Sequence, residues 1–321
     1  MPGPRILVVR LSSMGDVLHT LPAAASLKHS LPHSRLTWVV NPRWRPLLEG
    51  NPFIDEIVEF NRRSLAAMLE ARRRLRAGQF DIAVDFQGLI QSALVASAAR
   101  PEKLYGFDAA QLKEKPAALF YSATVDAKAG HVVDKNLELA AVAGASSIIH
   151  QFPLPAGEPE GELPSGGFVL TSPLAGWTSK QWPAANFAEL AIRLRAETSL
   201  ELVVNGAPDS AEALRNIPGV RVHLSGLNGL IHATRRATAV VGVDSGPLHL
   251  AAALSKPGVA IFGPTDPARN GPYGTRSIVL RSAESVTSHT RRAEADEGML
   301  GIGSEAVVGA AGELLEKALG G

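Results

Sequence analysis

The sequence predicts an α/β protein built as two doubly wound domains. Three observations carry this. Short β-rich runs alternate with longer helical patterns, which indicates parallel strands joined by crossover helices. The alternation stops at "QFPLPAGEPEGELPSGG", residues 151–167, rich in Pro, Gly and Glu and without periodicity, and then restarts. A chain of 321 residues also exceeds what one core usually holds.

In the first series the strand signals fall at 5–9, 36–40, 56–60, 82–85 and 104–107, with helical patterns at 17–30, 64–77 and 89–98. In the second they fall at 168–171, 200–204, 220–223, 239–243 and 259–262, with helices at 184–196, 210–216, 227–236 and 248–255. A last helix is expected over about 305–319. The expected domains are therefore 1–155 and 168–303, followed by a C-terminal helical segment, 304–321. Two such domains are expected to face each other across a cleft.

Composition narrows the function. Hydrophobic residues make up 45% and charged residues 20%, the balance of an ordinary globular protein. A net charge of +1 gives no argument for nucleic acid. The absence of cysteine excludes disulfides, thiolate nucleophiles and Cys-ligated zinc. No apolar run is long enough to span a bilayer, and "MPGPRILVVR" does not read as a signal peptide, so a cytoplasmic protein is expected.

Ligands of doubly wound sheets bind beyond the carboxyl ends of the strands. There the first domain places "SSMGD", with Gly15 and Asp16 just ahead of His19, and "DFQGL", with Asp85 and Gln87. The second places "TSPLAGWTSKQWP", "NGAPDS", "GVDSGPLH" and "FGPTDP". Any one of these loops is more often only a turn; six at corresponding ends are harder to dismiss. In "GVDSGPLHLAAAL", Asp244 or Ser245 can cap a helix whose first turn takes Pro247. That helix start, with Gly246, suits a phosphate. His249 either donates to the same anion or packs locally. Lys180 is a point charge for a phosphate or an ordinary surface lysine, and Thr178 and Ser179 lie beside it. Trp182-Pro183 reads as the start of the next helix. No G-x-G-x-x-G follows the first strand and no P-loop pattern occurs. Metal-ligand spacings are missing, so no metal or cofactor is expected and a diphosphate would be met by helix ends and Lys180.

"SSMGDVLHTLPA", "AVDFQGLIQSAL", "SKQWP", "GVDSGPLHLAAAL" and "FGPTDPARNGPYG" together resemble the ADP-heptose:lipopolysaccharide heptosyltransferases of glycosyltransferase family 9, most closely the heptosyltransferase I members. The resemblance runs in order from the first strand to about Gly274. It implies a GT-B fold of two Rossmann-like domains whose closing helix crosses back to the first. It implies inverting, metal-independent transfer of L-glycero-D-manno-heptose from ADP-heptose to a Kdo sugar of lipopolysaccharide. Asp16 then matches the proposed general base and Lys180 a donor-contacting lysine. Asp244, Ser245, Gly246 and His249 match the loop that contacts the diphosphate and heptose. Two positions depart: Ala175-Gly176 stands where the family has a hydroxyl pair, and the adenosine-side acid has no clear match, Asp209 or Glu212 being substitutes.

The segment "NRRSLAAMLEARRRLRAG" supplies Arg62, Arg63, Arg72, Arg73, Arg74 and Arg76. Kdo and lipid A phosphates are anionic and so is the inner leaflet, so these arginines either meet the acceptor and its membrane or form a solvated basic helix. Arg62 and Arg63 are the better acceptor candidates, with Gly15, His19 and Gln87. The expected partners are ADP-heptose, Kdo-lipid A and, peripherally, the inner membrane, with no nucleic acid and a monomeric chain. Three rival readings stand beside this one. They are a family member with another acceptor (a second heptosyltransferase or a protein O-heptosyltransferase), a non-catalytic sugar-nucleotide binding protein, and a Rossmann oxidoreductase. Asp16 speaks against the second and the missing cofactor fingerprint against the third. Asp16 itself is a base or a helix cap.

Overall fold

The computed structural model describes residues 3–288, 294 and 296–319. The chain forms two compact units that meet in sequence at Pro155 and Ala156. The first runs β1 (Arg5–Val9), α1 (Met14–Ser30), β2 (Arg35–Val40), β3 (Glu56–Glu59), α2 (Leu65–Ala77), β4 (Ile82–Asp85), α3 (Ile90–Ala98), β5 (Lys103–Phe107), β6 (Ala123–Val125) and α4 (Val132–Val142). The second runs β7 (Phe168–Thr171), α5 (Ala184–Thr198), β8 (Glu201–Gly206), α6 (Ala211–Arg215), β9 (Arg221–Leu224), α7 (Leu227–Arg236), β10 (Ala239–Val243) and α8 (Gly246–Ala253). It continues with β11 (Gly258–Phe262), α9 (Pro267–Asn270), β12 (Ser277–Arg281), α10 (Glu297–Leu300) and α11 (Ser304–Leu319).

Each unit holds one six-stranded parallel sheet, in the orders β3-β2-β1-β4-β5-β6 and β12-β11-β10-β7-β8-β9. Counted within its own unit each is the Rossmann order, and each reverses direction once, between β1 and β4 and between β7 and β10. Strands covered on both faces become continuous apolar runs; accordingly "ILVV" of β1 and all of β7, β10 and β11 are buried. Register sets Val9 beside Asp85 and Val243 beside Ile261, which aligns the loops that follow them.

Two segments that the sequence places outside the second domain pack on it. The closing helix packs within the second unit, where Val307, Val308, Ala311, Leu314 and Leu315 join the core with α5 residues Phe187, Leu190 and Leu194. Its apolar stripe meets that unit's own helix and sheet; Gly320 and Gly321, counted with it, lie outside the described residues. The presumed linker is also not free. Its second half docks on the second unit: the Glu160 carboxylate accepts from Gly226 N (2.5 Å) and Gly229 N (3.0 Å). It thereby caps α7, whose N-cap Gly226 has no side chain to do so. Gly157, at φ +75°, presses so close to Asn228 and His232 that a Cβ would meet their backbone at 2.5 Å.

Candidate functional site

In the first unit the polar groups gather where β1 and β4 part. Asp16 sits in the first turn of α1, three residues after the N-cap Ser13. One carboxylate oxygen accepts from Ser13 N (2.9 Å) and Ser13 Oγ (2.8 Å). The other accepts from Arg10 Nη2 at 2.6 Å. Arg10 is buried; it also donates to the Phe86 carbonyl, and its own carbonyl accepts from Trp38 Nε1 at 3.2 Å. Burial pushes the Asp16 carboxyl up, but the Arg10 guanidinium, the Ser13 bonds and His19 more than offset this and hold it at about 2. The N-cap is Ser13, and not Asp16 as the alternative reading expected; Asp16, at the third helical position, completes a capping box by accepting from the Ser13 N–H, and its side chain stays 40% exposed.

The neighbours divide into groups that hold the loop and groups that pack. Gln87 Oε1 accepts from Leu11 N (2.7 Å) and Ser12 N (3.3 Å), tying the β1–α1 loop to β4. Gly15 is buried in the turn. His19 is buried edge-on to His131, ring centroids 5.7 Å apart, and its carbonyl accepts from Asn136 Nδ2 at 3.0 Å. Asp85 is fully buried and accepts from Ser92 Oγ and Tyr121 Oη, both at 2.8 Å, and from Gln87 N at 2.9 Å. Burial dominates there and pushes the Asp85 carboxyl up. The arginine segment splits as well. Arg62 and Arg63 are exposed beyond β3, whereas Arg73 pairs with Glu70 and Arg74 with Glu56.

In the second unit β7, β10 and β11 are adjacent, so the loops that leave their carboxyl ends converge. They bring Lys180, Asp244 and Thr265 together. Asp244 accepts from Lys180 Nζ at 2.5 Å and Thr265 Oγ1 at 2.7 Å, and its other oxygen lies 3.3 Å from His249 Nε2. Lys180 Nζ also lies 4.7 Å from the Trp177 ring centroid, a cation–π distance. Burial pushes the Asp244 carboxyl up; His249 and Lys180 outweigh it and hold the group below the usual carboxylate range. Ser245 is the N-cap residue of α8, but its hydroxyl makes no cap bond. With Thr171 and Ser172 it lines a cavity of about 10 Å³ between the ends of β7 and β10. All three hydroxyl oxygens are buried without a protein partner, and such a space holds about one water. Thr178 is exposed, while Ser179 is buried and its carbonyl accepts from Asp296 N at 3.2 Å. Asp209 and Glu212 are exposed beyond β8. Among the described residues no three His, Asp or Glu side chains group as a metal site would require.

The sequence reading missed Arg10, Thr265, Trp177 and Tyr121. Arg10 carried a signal, a charge directly after a buried apolar strand, and Trp177 and Thr265 sit inside strand-end loops the sequence marks.

Comparison with known proteins gives the family. The profile of "Glycosyltransferase family 9 (heptosyltransferase)" matches residues 68–300. Lipopolysaccharide heptosyltransferase 1 of Salmonella typhimurium is 30% identical over 306 residues, covering 87% of this chain and 95% of that protein. The solved E. coli heptosyltransferase WaaC with ADP superimposes with a TM-score of 0.78 at 26% identity, over 98% of this chain and 99% of that one. The same enzyme with ADP-2-deoxy-2-fluoro heptose gives 0.76 at 27%, over 96% and 99%. No transmembrane helix is found among the described residues. On fold and on sequence alike, the chain is a GT-B enzyme belonging to glycosyltransferase family 9, the heptosyltransferases.

Proposed function

We propose that the chain transfers L-glycero-D-manno-heptose from ADP-heptose to a Kdo residue of the lipopolysaccharide inner core, with inversion and without a metal. The observation that supports this best is the Lys180–Asp244–His249 cluster at the point where the second sheet reverses, in a chain so similar to heptosyltransferase 1 proteins along its length. In this reading the second unit binds the donor. Lys180 keeps two N–H donors for the diphosphate while the third holds Asp244. Gly246 and the α8 N-terminus meet the same charge. His249, Ser245, Thr178 and Ser179 complete the donor contacts, with Asp209 or Glu212 on the adenosine side.

The first unit supplies the acceptor contacts Arg62 and Arg63 and the base Asp16, while Gln87, Gly15 and His19, proposed from the sequence as acceptor contacts, shape the loop and helix that carry Asp16. The acceptor hydroxyl attacks the anomeric carbon from the side opposite the diphosphate. The bond to the diphosphate oxygen breaks, ADP leaves with its electron pair, and the hydroxyl proton passes to Asp16. A carboxylate held near 2 is a weak base. It suffices if the proton moves late, once the forming bond has made the attacking oxygen strongly acidic. Asp85, buried and fully hydrogen-bonded, serves the loop instead.

Mass spectrometry of products from ADP-heptose and a panel of lipid A precursors tests the reading. Product is expected with a Kdo-bearing acceptor, and a chelator is expected to leave the rate unchanged. Product only on an acceptor already carrying heptose, or only on a protein hydroxyl, would replace the acceptor assignment. Rescue of a chelated enzyme by magnesium would replace the metal-free step.

A further inference from the structure

One face of the first unit carries apolar side chains that its core does not use. α2 and α3 cover the same side of the sheet: Ala71 and Leu75 of α2 and Val95 and Ala96 of α3 join one buried cluster with Leu7 and Val9 of β1. The short 3-10 turn Lys115–Phe120 packs on α3 through Ala117, which meets Ala93. Each of the three elements has therefore satisfied its inner face. Each also leaves a large apolar pair outside: Leu65 (72% exposed) and Leu69 on α2, Ile90 and Leu94 on α3, and Leu119 (88%) and Phe120 on the turn. Leu65 and Leu69, like Ile90 and Leu94, are four residues apart and so share a helix face. Both pairs lie in the first two turns of their helices. That is the carboxyl edge of the sheet, the edge from which the loop to Asp16 leaves.

Cations frame this face. Arg62, Arg63, Arg72, Lys113 and Lys115 are exposed and join none of the ion pairs among the described residues. The acids nearby are engaged: Glu70 holds Arg73, and Glu114 accepts from Ile90 N at 2.8 Å, which pins the turn to the start of α3. Exposed leucines among arginines are costly in water and fit the boundary between lipid headgroups and acyl chains. Anionic headgroups complement the surplus of positive charge.

We propose that the outer face of α2, α3 and the 115–120 turn rests on an anionic lipid bilayer, with the six apolar side chains in the interfacial layer and the cations against the headgroups. The proposal deepens the reading above, in which the acceptor is a membrane lipid. It gives that reading a surface: the edge bearing Asp16 would be held at the height of a sugar projecting from the bilayer.

The test uses the full chain and vesicles containing no acceptor. Wild-type protein is expected to sediment with phosphatidylglycerol–phosphatidylethanolamine vesicles, less so as salt is raised, and not with phosphatidylcholine vesicles. Leu69→Ser with Leu94→Ser is expected to lower the partition coefficient at least tenfold and leave Tm unchanged, since neither side chain is in the core. The chain has no cysteine, so Leu94→Cys carries a single polarity-sensitive dye. Its emission is expected to shift to the blue on anionic vesicles, whereas a dye at Ile192→Cys, exposed on α5 of the second unit, is not. Unchanged partition of the double variant, or a shift at position 192 alone, overturns the proposal. So does a wild-type dimer that the double variant converts to monomer, because the face would then belong to a second copy. Transfer to a deacylated, water-soluble acceptor, assayed in parallel, judges the acceptor reading separately from docking.

Discussion

Asp16 and Asp244 both stand beside the point where a sheet reverses, Asp16 after the first strand of its unit and Asp244 after the fourth strand of the other, and they are built for different work. Each follows a buried strand beside the point where its sheet reverses, and each is held below the usual carboxylate range by cations that outweigh burial. Their exposures differ. The Asp16 side chain is 40% exposed and takes its bonds from its own loop, Arg10 and Ser13. The Asp244 side chain is 6% exposed and takes its bonds from two neighbouring loops and the helix that follows it, through Lys180, Thr265 and His249. A carboxylate that is half-open can meet a substrate proton. One closed in among a lysine, a threonine and a histidine fixes those groups instead. The same residue type beside a sheet reversal thus suits the reacting role proposed for Asp16 in one unit and organises its neighbours in the other.

The comparison breaks most visibly if Asp16 can lose its charge without consequence. Asp16→Asn keeps an oxygen for the Ser13 N–H, so the cap survives, but it accepts no proton. Positioned general bases contribute about 10²–10⁴-fold. Turnover is expected to fall at least a hundredfold while the ADP dissociation constant stays put in calorimetry. A variant with more than a tenth of wild-type turnover would make Asp16 a cap alone.

Lys180→Ala probes the other side. If the lysine reaches the diphosphate, the loss of a charge-assisted bond worth roughly 1.5–3 kcal/mol weakens ADP binding by about one to two decades. A second readout bears on Asp244. Its depressed pKa contributes stability that is present above the unfolded value near 4 and lost as pH falls through the folded one. Lys180 is one cause of that depression. Its removal raises the folded value and shrinks the contribution, so the acid-unfolding midpoint should move to higher pH. Unmoved ADP affinity together with an unmoved midpoint would reduce the lysine to a surface group.

Much of this was legible before any coordinates, and the gaps have physical reasons. Buried parallel strands announce themselves as apolar runs, which is why β1, β7, β10 and β11 fall where the pattern puts them. Two of the four edge strands do not: β6 has three residues, and β12, half-exposed, ends in Ser277 and Arg281, whereas β3 and β9 fall where the pattern puts them. α4 was readable and was passed over, since Val133, Asn136, Leu137 and Ala140 are buried at helical spacing. In the site, the loop motifs stand out in the sequence, but which residues pair does not. Thr265 reaches Asp244 across 21 positions and Tyr121 reaches Asp85 across 36. Only the strand order, in which β10 neighbours β11 and β4 neighbours β5, brings such residues together. The fate of the closing helix depended on which core had room for its apolar stripe, and its sequence, amphipathic either way, does not say.

The smallest expected effect is the sharpest test of how Asp16 is tuned. Arg10 is buried, and its guanidinium bonds to one Asp16 oxygen at 2.6 Å. Arg10→Met keeps much of the apolar stem and removes the charge. Burial, the largest influence on Asp16 and one that raises its pKa, is then opposed only by the Ser13 bonds and His19. The carboxyl should rise from about 2 toward the ordinary carboxylate value. At neutral pH the group stays ionised and becomes a stronger base, but it loses the partner that orients it. These effects oppose each other, so turnover at pH 7 should change by only a few-fold. The pH profile should change more clearly. In the wild type, protonation of Asp16 puts no acid limb on kcat/KM between pH 4 and 7; in Arg10→Met a limb should enter that window from below. The sign for stability is the same. The depressed group contributes stability above an unfolded pKa near 4 that is lost as pH falls toward 2, and a raised folded value removes it, so the variant should unfold at higher pH on acidification. If the two profiles superimpose over pH 4–7 while the variant remains folded, Arg10 does not set the basicity of Asp16. The low pKa would then be no part of the contrast with Asp244.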